Sequence, residues 1–162
     1  MVNSEAKENE IKSIVHVTKD ITLLFIAFTV FTFIATINAK ILQDDFLLTL
    51  QLVISIPLFM SAVLSRSKLG ISKKAKVLDQ YGNITFLIAY ACLINVVGIL
   101  LNSIINNGTS EIFFIVNVLT VISYSIIKIK HDSKEIYSQI SQDLIFILFI
   151  VVFGLLHVLN FY

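Results

Sequence analysis

The sequence of 162 residues has few charged residues, one cysteine, one proline and no tryptophan. Charged residues make up 14% of the chain, whereas a soluble domain has about 25%, so the composition excludes an ordinary water-soluble globular protein. The single cysteine, Cys92, excludes an internal disulfide and any cysteine-based metal cluster. Because Cys92 lies within an apolar run, we expect it to be a small buried hydrophobic residue.

Hydrophobic residues make up 57% of the chain, its mean hydropathy is +0.90, and they are concentrated in long runs without charge. A helix needs roughly 20 apolar residues to cross a hydrocarbon core about 30 Å thick. The sequence therefore predicts an all-α, polytopic membrane protein with one membrane domain, residues 21–162, after a polar and amphipathic lead-in, residues 1–20. The five predicted transmembrane helices cover residues 21–39, 46–65, 83–103, 111–127 and 144–161.

The positive charges are distributed unevenly along the chain. Of the twelve Lys and Arg residues, all but Lys40 lie in the lead-in or in two basic links, residues 66–82 and 128–143. Short loops rich in Lys and Arg stay in the cytoplasm, which predicts a cytoplasmic N-terminus and a C-terminus outside. The first basic link is either a simple interfacial anchor or a contact for anionic lipid or a partner. Its candidate contact residues are Arg66, Lys68, Lys73, Lys74 and Lys76.

Polar and small side chains recur at helical spacing in several predicted spans. The threonine stripe of the first span, Thr29, Thr32 and Thr36, is predicted to mark its packed side, because hydroxyl groups allow close helix approach and hydrogen bonding. The third span carries a line of small and amide side chains that is predicted to pack against the threonine stripe or the Asn117 face, or to line a pore. Its members are Ala91, Asn95, Gly98 and Asn102, and the fourth span has Asn117, Thr120 and Tyr124.

Three further positions interrupt the apolar pattern. Pro57 lies near the middle of the second span, where a missing N–H group is expected to kink the helix, and Gln51 is predicted to lie on a face that can satisfy the disturbed backbone. Gly108 lies in a turn between the third and fourth spans that suits a positive φ. His157 lies in the fifth span as a candidate pore-lining or helix-packing residue, or as a neutral histidine near the interface.

The sequence contains no recognisable catalytic, phosphate-binding or metal-binding motif. We therefore expect no enzyme activity, no cofactor and no bound nucleic acid. The absence of charge in the middle of any predicted span argues against an ion-coupled pump.

Two hypotheses remain. The first is a small membrane protein that acts through helix contacts, as a homo-oligomer or an accessory subunit of a membrane complex.

The second hypothesis is an oligomeric channel or small-solute carrier, a class that includes compact membrane effectors of bacterial defence systems. Under either hypothesis the expected partners are the lipid bilayer, further copies of this chain or other membrane subunits. The frequent use of isoleucine, asparagine and lysine is typical of an AT-rich genome and favours a prokaryotic plasma membrane.

Overall fold

The computed structural model describes residues 2–37, 39–69, 75–105, 108–131 and 136–159, and every regular element in these ranges is helical. A π-helical segment, Val151–Leu155, follows the sixth helix directly. The α-helices are α1 (Val2–Ile37), α2 (Ala39–Asp44), α3 (Phe46–Arg66), α4 (Ala75–Ile105), α5 (Thr109–His131), α6 (Ile136–Ile150) and α7 (Leu156–Val158).

Five helical stretches within the described ranges are long and apolar enough to cross a membrane. They cover Ser13–Thr36, Phe46–Arg66, Ala75–Ile105, Thr109–Ile127 and Ile140–Val158. This result confirms the prediction of an all-α chain with five long apolar helices, as in a membrane helical bundle, and the chain is therefore an integral membrane protein. If these helices are embedded, their exposed apolar side chains contact the lipid bilayer.

Three helices begin well before the predicted spans, and one of them, α6, begins at Ile136 rather than at residue 144. Helix α1 continues through the polar lead-in, and its membrane-compatible stretch begins at Ser13, so Asp20 lies inside that stretch. Helix α4 begins at Ala75, so the second half of the link 66–82 is helical. The extensions of α1 and α4 have the same physical reason. Lys, Glu, Gln and Ala all favour the α-helix, so a helix can continue beyond the ends of its apolar run.

The chain divides into two compact units, Met1–Tyr90 and Ala91–Tyr162. We call them the first unit and the second unit. Helix α4 is continuous across the boundary and contributes its beginning to the first unit and the rest to the second. Of the five membrane-compatible stretches, that of α4 has the largest buried share, 61%, against 11 to 33% for the others.

Helices α1 and α3 pack along their length in the core of the first unit. Among the side chains of α1 that the structure describes, the buried ones, Ser13, Asp20, Ala27 and Ile34, are seven residues apart. This is the spacing of helices that wrap around each other with a small crossing angle. The facing side of α3 has the matching spacing of three and four residues. Its buried residues are Leu48, Gln51, Leu52, Ser55, Phe59, Ala62, Ser65 and Arg66.

The sharp connection between α1 and α3 is fixed by two side chains. Asp45 caps α3, because its carboxylate accepts a hydrogen bond from the N–H of Leu48 at 2.9 Å. The hydroxyl of Thr49 donates to the carbonyl of Leu42 in α2 at 2.6 Å. Helix α3 therefore turns back along α1, and the end of α3 lies beside the first part of α1.

The packed side of α1 is not the threonine stripe, contrary to the expectation from the sequence. Thr29, Thr32 and Thr36 are exposed, and each hydroxyl donates to the carbonyl four residues earlier in the same helix at 2.7 to 2.9 Å. A threonine that bonds its own backbone is satisfied without a neighbouring helix. Polarity alone therefore did not identify the buried side, which the seven-residue spacing of Ala27 and its equivalents marks instead.

The second unit is organised around the ring of Phe114, which is fully buried. Gly98 of α4 and Gly154 of the π-helical segment both lie directly against this ring, and a Cβ atom at either position would overlap it. The hydroxyl of Ser110 donates to the carbonyl of Gly98 at 2.6 Å. Gly108 has φ of +73°, the positive value that the sequence predicted at this position.

Candidate functional site

A buried ion pair joins the beginning of the first span to the end of the second. Nη1 of Arg66 donates to both carboxylate oxygens of Asp20, at 2.6 and 2.7 Å. The side chain of Arg66 is 2% exposed and that of Asp20 is 0% exposed. Charged side chains are almost never this deeply buried unless they are paired, so each residue explains the burial of the other.

Helix α4 completes the environment of the arginine. Nη2 of Arg66 donates to the amide oxygen of Asn83, and the guanidinium carbon lies 5.1 Å from the ring centre of Phe86, within the range of a cation–π contact. Gly82 allows this approach, because a Cβ atom there would lie 2.6 Å from Oγ of Ser65 and 2.9 Å from Cγ of Arg66. The absence of a side chain at Gly82 therefore lets α3 and α4 meet at the ion pair.

The backbone of Arg66 is also held. The hydroxyl of Ser13 donates to the carbonyl of Arg66 at 2.7 Å, which satisfies a carbonyl at the end of α3 that has no partner within its own helix. Ser13 and Asp20 are two turns apart on the buried side of α1. Together they contact Arg66 through both its backbone and its side chain.

The ion pair is surrounded by side chains of three helices, α1, α3 and α4. Both carboxylate oxygens of Asp20 accept a hydrogen bond from Arg66, so both are engaged within the pair. Gly82 and Phe86 of α4 also lie against the side chain of Arg66. Among the described residues, no group of three or more His, Cys, Asp or Glu side chains could hold a metal ion. The cluster therefore fixes three helices at one end of the first unit.

A second polar contact lies inside the second unit. Asn95 is 0% exposed, and its amide nitrogen donates to the carbonyl of Phe149 in α6 at 3.2 Å. The π-helical segment begins two residues later, at Val151. π-Helical segments occur mostly as single turns inside α-helices and are frequent at functional sites. Here the wider turn presents Gly154 to Asn95 and Phe114.

The line of small and amide residues in the third span lies in this second unit. Ala91, Asn95 and Gly98 are buried, and Asn102 is half-buried. The contacts of this line come from the fifth span, through Phe149, and from Ser110 and Phe114 at the beginning of α5. The sequence predicted the Asn117 face of the fourth span as one partner, and Ser110 and Phe114 lie seven and three residues before Asn117, on the same side of α5.

The remaining predicted residues lie on α3, α5 and α7. Gln51 is buried on α3, whereas Pro57 is exposed and the helix continues through it. Asn117 is half-buried, and its amide donates to the carbonyl of Phe113 in the same helix at 2.8 Å. Tyr124 is exposed on α5, and His157 is half-buried in α7.

The predicted lipid or partner contacts of the first basic link divide into three groups. Lys68 and Lys76 are exposed. The guanidinium of Arg66 is buried and paired with Asp20, so it does not face a headgroup. Lys73 and Lys74 lie outside the described residues.

The chain matches no protein-family model, no curated protein and no solved structure.

Reasoning from the sequence missed Asp20, Asn83 and Ser13. A signal for Asp20 was present, because it directly precedes a long uncharged run and lies seven residues from Ser13 and from Ala27. Arg66, the single arginine, ends the next run. Two consecutive spans joined by a short link run in opposite directions. Because Asp20 lies at the beginning of the first and Arg66 at the end of the second, both charges lie at the same end of the helix pair.

Proposed function

We propose that this protein acts through helix contacts in the membrane, as a homo-oligomer or as an accessory subunit of a membrane complex. The observation that carries the proposal is a pair of open grooves, one on α1 and one on α5. Each groove combines hydroxyl groups with aromatic or aliphatic walls. Small polar residues at helical spacing allow neighbouring membrane helices to approach closely.

The groove on α1 includes the threonine stripe and has a volume of about 530 Å³. Its lining residues are Phe28, Thr29, Thr32, Phe33 and Thr36. Thr32 is five residues past the buried Ala27, which corresponds to about 140° around the helix. The groove therefore lies on the side of α1 that faces away from α3 and is open to a helix of another molecule.

The groove on α5 belongs to the second unit and has a volume of about 430 Å³. Its lining residues are Val116, Leu119, Thr120, Ser123, Tyr124 and Ile127. Only 11% of the membrane-compatible stretch of α5 is buried within the chain, the lowest share of the five. A helix with this much free surface and a hydroxyl-lined face is well suited to a subunit contact.

The orientation that fits this function has the N-terminus in the cytoplasm and the C-terminus outside, in a prokaryotic plasma membrane. The contacts of Lys19 and Arg66 with the same ring, Phe86, support a common basic end for the first unit. Basic ends face the cytoplasm under the positive-inside rule. Five spans then require the chain to end on the opposite side.

The channel or carrier alternative has weaker support. Asn95 and Asn117, two of its pore-lining candidates, use their amide nitrogens as donors to backbone carbonyls. We also propose that the protein is not an enzyme, since the buried carboxylate of Asp20 is held by Arg66. Ion or solute flux across liposomes that contain only this protein would support the channel and count against a purely structural subunit.

Cysteine cross-linking tests the grooves directly, because the chain has one cysteine that can be removed as Cys92→Ser. In that background we expect Thr32→Cys and Thr120→Cys to form disulfide-linked dimers in native membranes if the protein is a homo-oligomer. Matched controls are Ile26→Cys and Ile122→Cys, which are exposed on the same helices but lie outside the grooves. The controls should cross-link several-fold less.

The mass of the detergent-solubilised particle separates the two forms of the proposal. A mass that is a multiple of 18.2 kDa plus detergent indicates a homo-oligomer, and an additional defined protein indicates an accessory subunit. A monomeric mass, combined with equal cross-linking of groove and control positions, would show that the proposal is wrong.

A further inference from the structure

A partly open cleft between α1 and α4 in the first unit lies beside the buried ion pair. Its volume is about 390 Å³, within the range of roughly 300–1,000 Å³ for sites that bind small molecules. Its lining residues are Lys19, Thr22, Leu23, Phe86 and Tyr90. The cleft therefore has one cation, a hydroxyl group and otherwise apolar or aromatic walls.

Lys19 is the one charged residue among the five that line the cleft. Asp20, the carboxylate next to Lys19 in sequence, accepts from Arg66 with both oxygens. Among the described side chains, no carboxylate forms an ion pair with Lys19, and its ammonium group lies 4.3 Å from the ring centre of Phe86. The aromatic ring holds the ammonium group at the cleft without neutralising it.

The walls of the cleft suit a hydrocarbon chain. The rings of Phe86 and Tyr90 are stacked, with centroids 5.9 Å apart and planes 14° from parallel. Leu23 lies one turn further along α1 than Lys19, toward the middle of the membrane-compatible stretch. The cation is thus nearer the end of the span, and the apolar wall extends toward its interior.

We propose that this cleft binds one anionic phospholipid, with the phosphate beside Lys19 and the first part of an acyl chain against Leu23, Phe86 and Tyr90. The amphipathic arrangement favours a lipid over a soluble anion, because a soluble anion gains nothing from the apolar wall. Basic residues at the cytoplasmic surface attract anionic lipids. The ion pair has a role here too, since Arg66 neutralises the carboxylate of Asp20, which would otherwise repel the phosphate.

Native mass spectrometry of the full-length protein tests the proposal with two lipids that share acyl chains, phosphatidylglycerol and phosphatidylcholine. We expect one tightly retained phosphatidylglycerol, and about five-fold weaker retention in Lys19→Gln, which corresponds to the loss of one lysine at the membrane surface. Lys19→Arg should preserve retention. Lys68→Gln is the matched control, because Lys68 is an exposed lysine that does not line the cleft.

Three results would overturn the proposal. The first is equal retention of the two lipids by the wild-type protein. The second is an equal loss of phosphatidylglycerol in Lys19→Gln and Lys68→Gln, which would indicate a diffuse surface charge. The third is unchanged retention in Lys19→Gln. Circular dichroism of each variant establishes that the helices are intact, and the subunit mass is read from the same spectra, so loss of the lipid is distinguished from loss of an oligomer.

Discussion

The ion pair between Asp20 and Arg66 provides the sharpest test of the fold. Asp20→Asn removes the negative charge but keeps the size and hydrogen-bonding capacity of the side chain. The guanidinium of Arg66, 2% exposed, would then be buried without a counter-ion. Breaking a buried pair by removing one partner costs about 3–5 kcal/mol, so we expect the free energy of unfolding to fall by roughly that amount.

The double variant Asp20→Leu with Arg66→Met distinguishes the cost of an isolated charge from the value of the pair. Replacement of a buried ion pair by apolar side chains of similar volume is often neutral or stabilising by about 1–4 kcal/mol. We therefore expect the double variant to be more stable than Asp20→Asn. The remaining loss would come from the contacts of Arg66 with Asn83 and Phe86.

Unfolding in mixed detergent micelles with increasing SDS measures these differences. Near-ultraviolet circular dichroism of the five tyrosines is the suitable signal, because the chain has no tryptophan. Asp44→Asn is the control, since Asp44 is exposed on α2. The reasoning would be refuted if Asp20→Asn and Asp44→Asn had equal effects, or if the effect of Asp20→Asn disappeared at high salt, because a buried pair is screened only weakly.

Three further substitutions test the close contacts. Gly82→Ala should destabilise the first unit by about 1–3 kcal/mol through overpacking against Ser65, and a neutral effect in the same SDS titration would contradict the close approach of α3 and α4. Gly98→Ala should also destabilise the protein, because the added Cβ would overlap the ring of Phe114. In the double variant, Phe114→Leu should make room for this Cβ and restore part of the stability. If the losses of the two single variants simply add in the double variant, the contact is contradicted. Asp45→Ala should lower the free energy of unfolding by about 0.5–2 kcal/mol by removing the cap of α3. The loss should be the same in salt-free and high-salt buffer if the missing cap causes it. A loss that shrinks at high salt would instead indicate an interaction with a distant charge.

Much of the helical architecture was predictable from the sequence. The spans of α3 and α5 begin and end within two residues of the predicted limits, because charged or turn-forming residues flank both apolar runs. The limits of α1 and α4 were less predictable. Their polar extensions contain good helix formers, so hydropathy marks the membrane-compatible core of a helix and not its ends.

The candidate site was much less predictable. The threonine stripe that includes Thr29 was expected on the packed side because its residues are polar. A threonine hydroxyl can donate to a carbonyl of its own helix, however, and its presence then does not indicate that another helix packs against it. Asn95 was singled out in the sequence as an amide within an apolar span, but the identity of its acceptor depends on the position of α6. Asp20 was overlooked because it was assigned to the lead-in.

The sequence by itself determined that this is an all-helical membrane protein with five long apolar helices. Those properties follow from the local density of apolar and charged residues, which the chain carries whatever its tertiary contacts. Only the tertiary structure decided which faces pack and which charges pair. Arg66 and Asp20 are 46 residues apart, and their contact exists because α1 and α3 fold back on each other and Gly82 admits α4. The free energy of a buried charge depends on that arrangement, and no local pattern of residues specifies it.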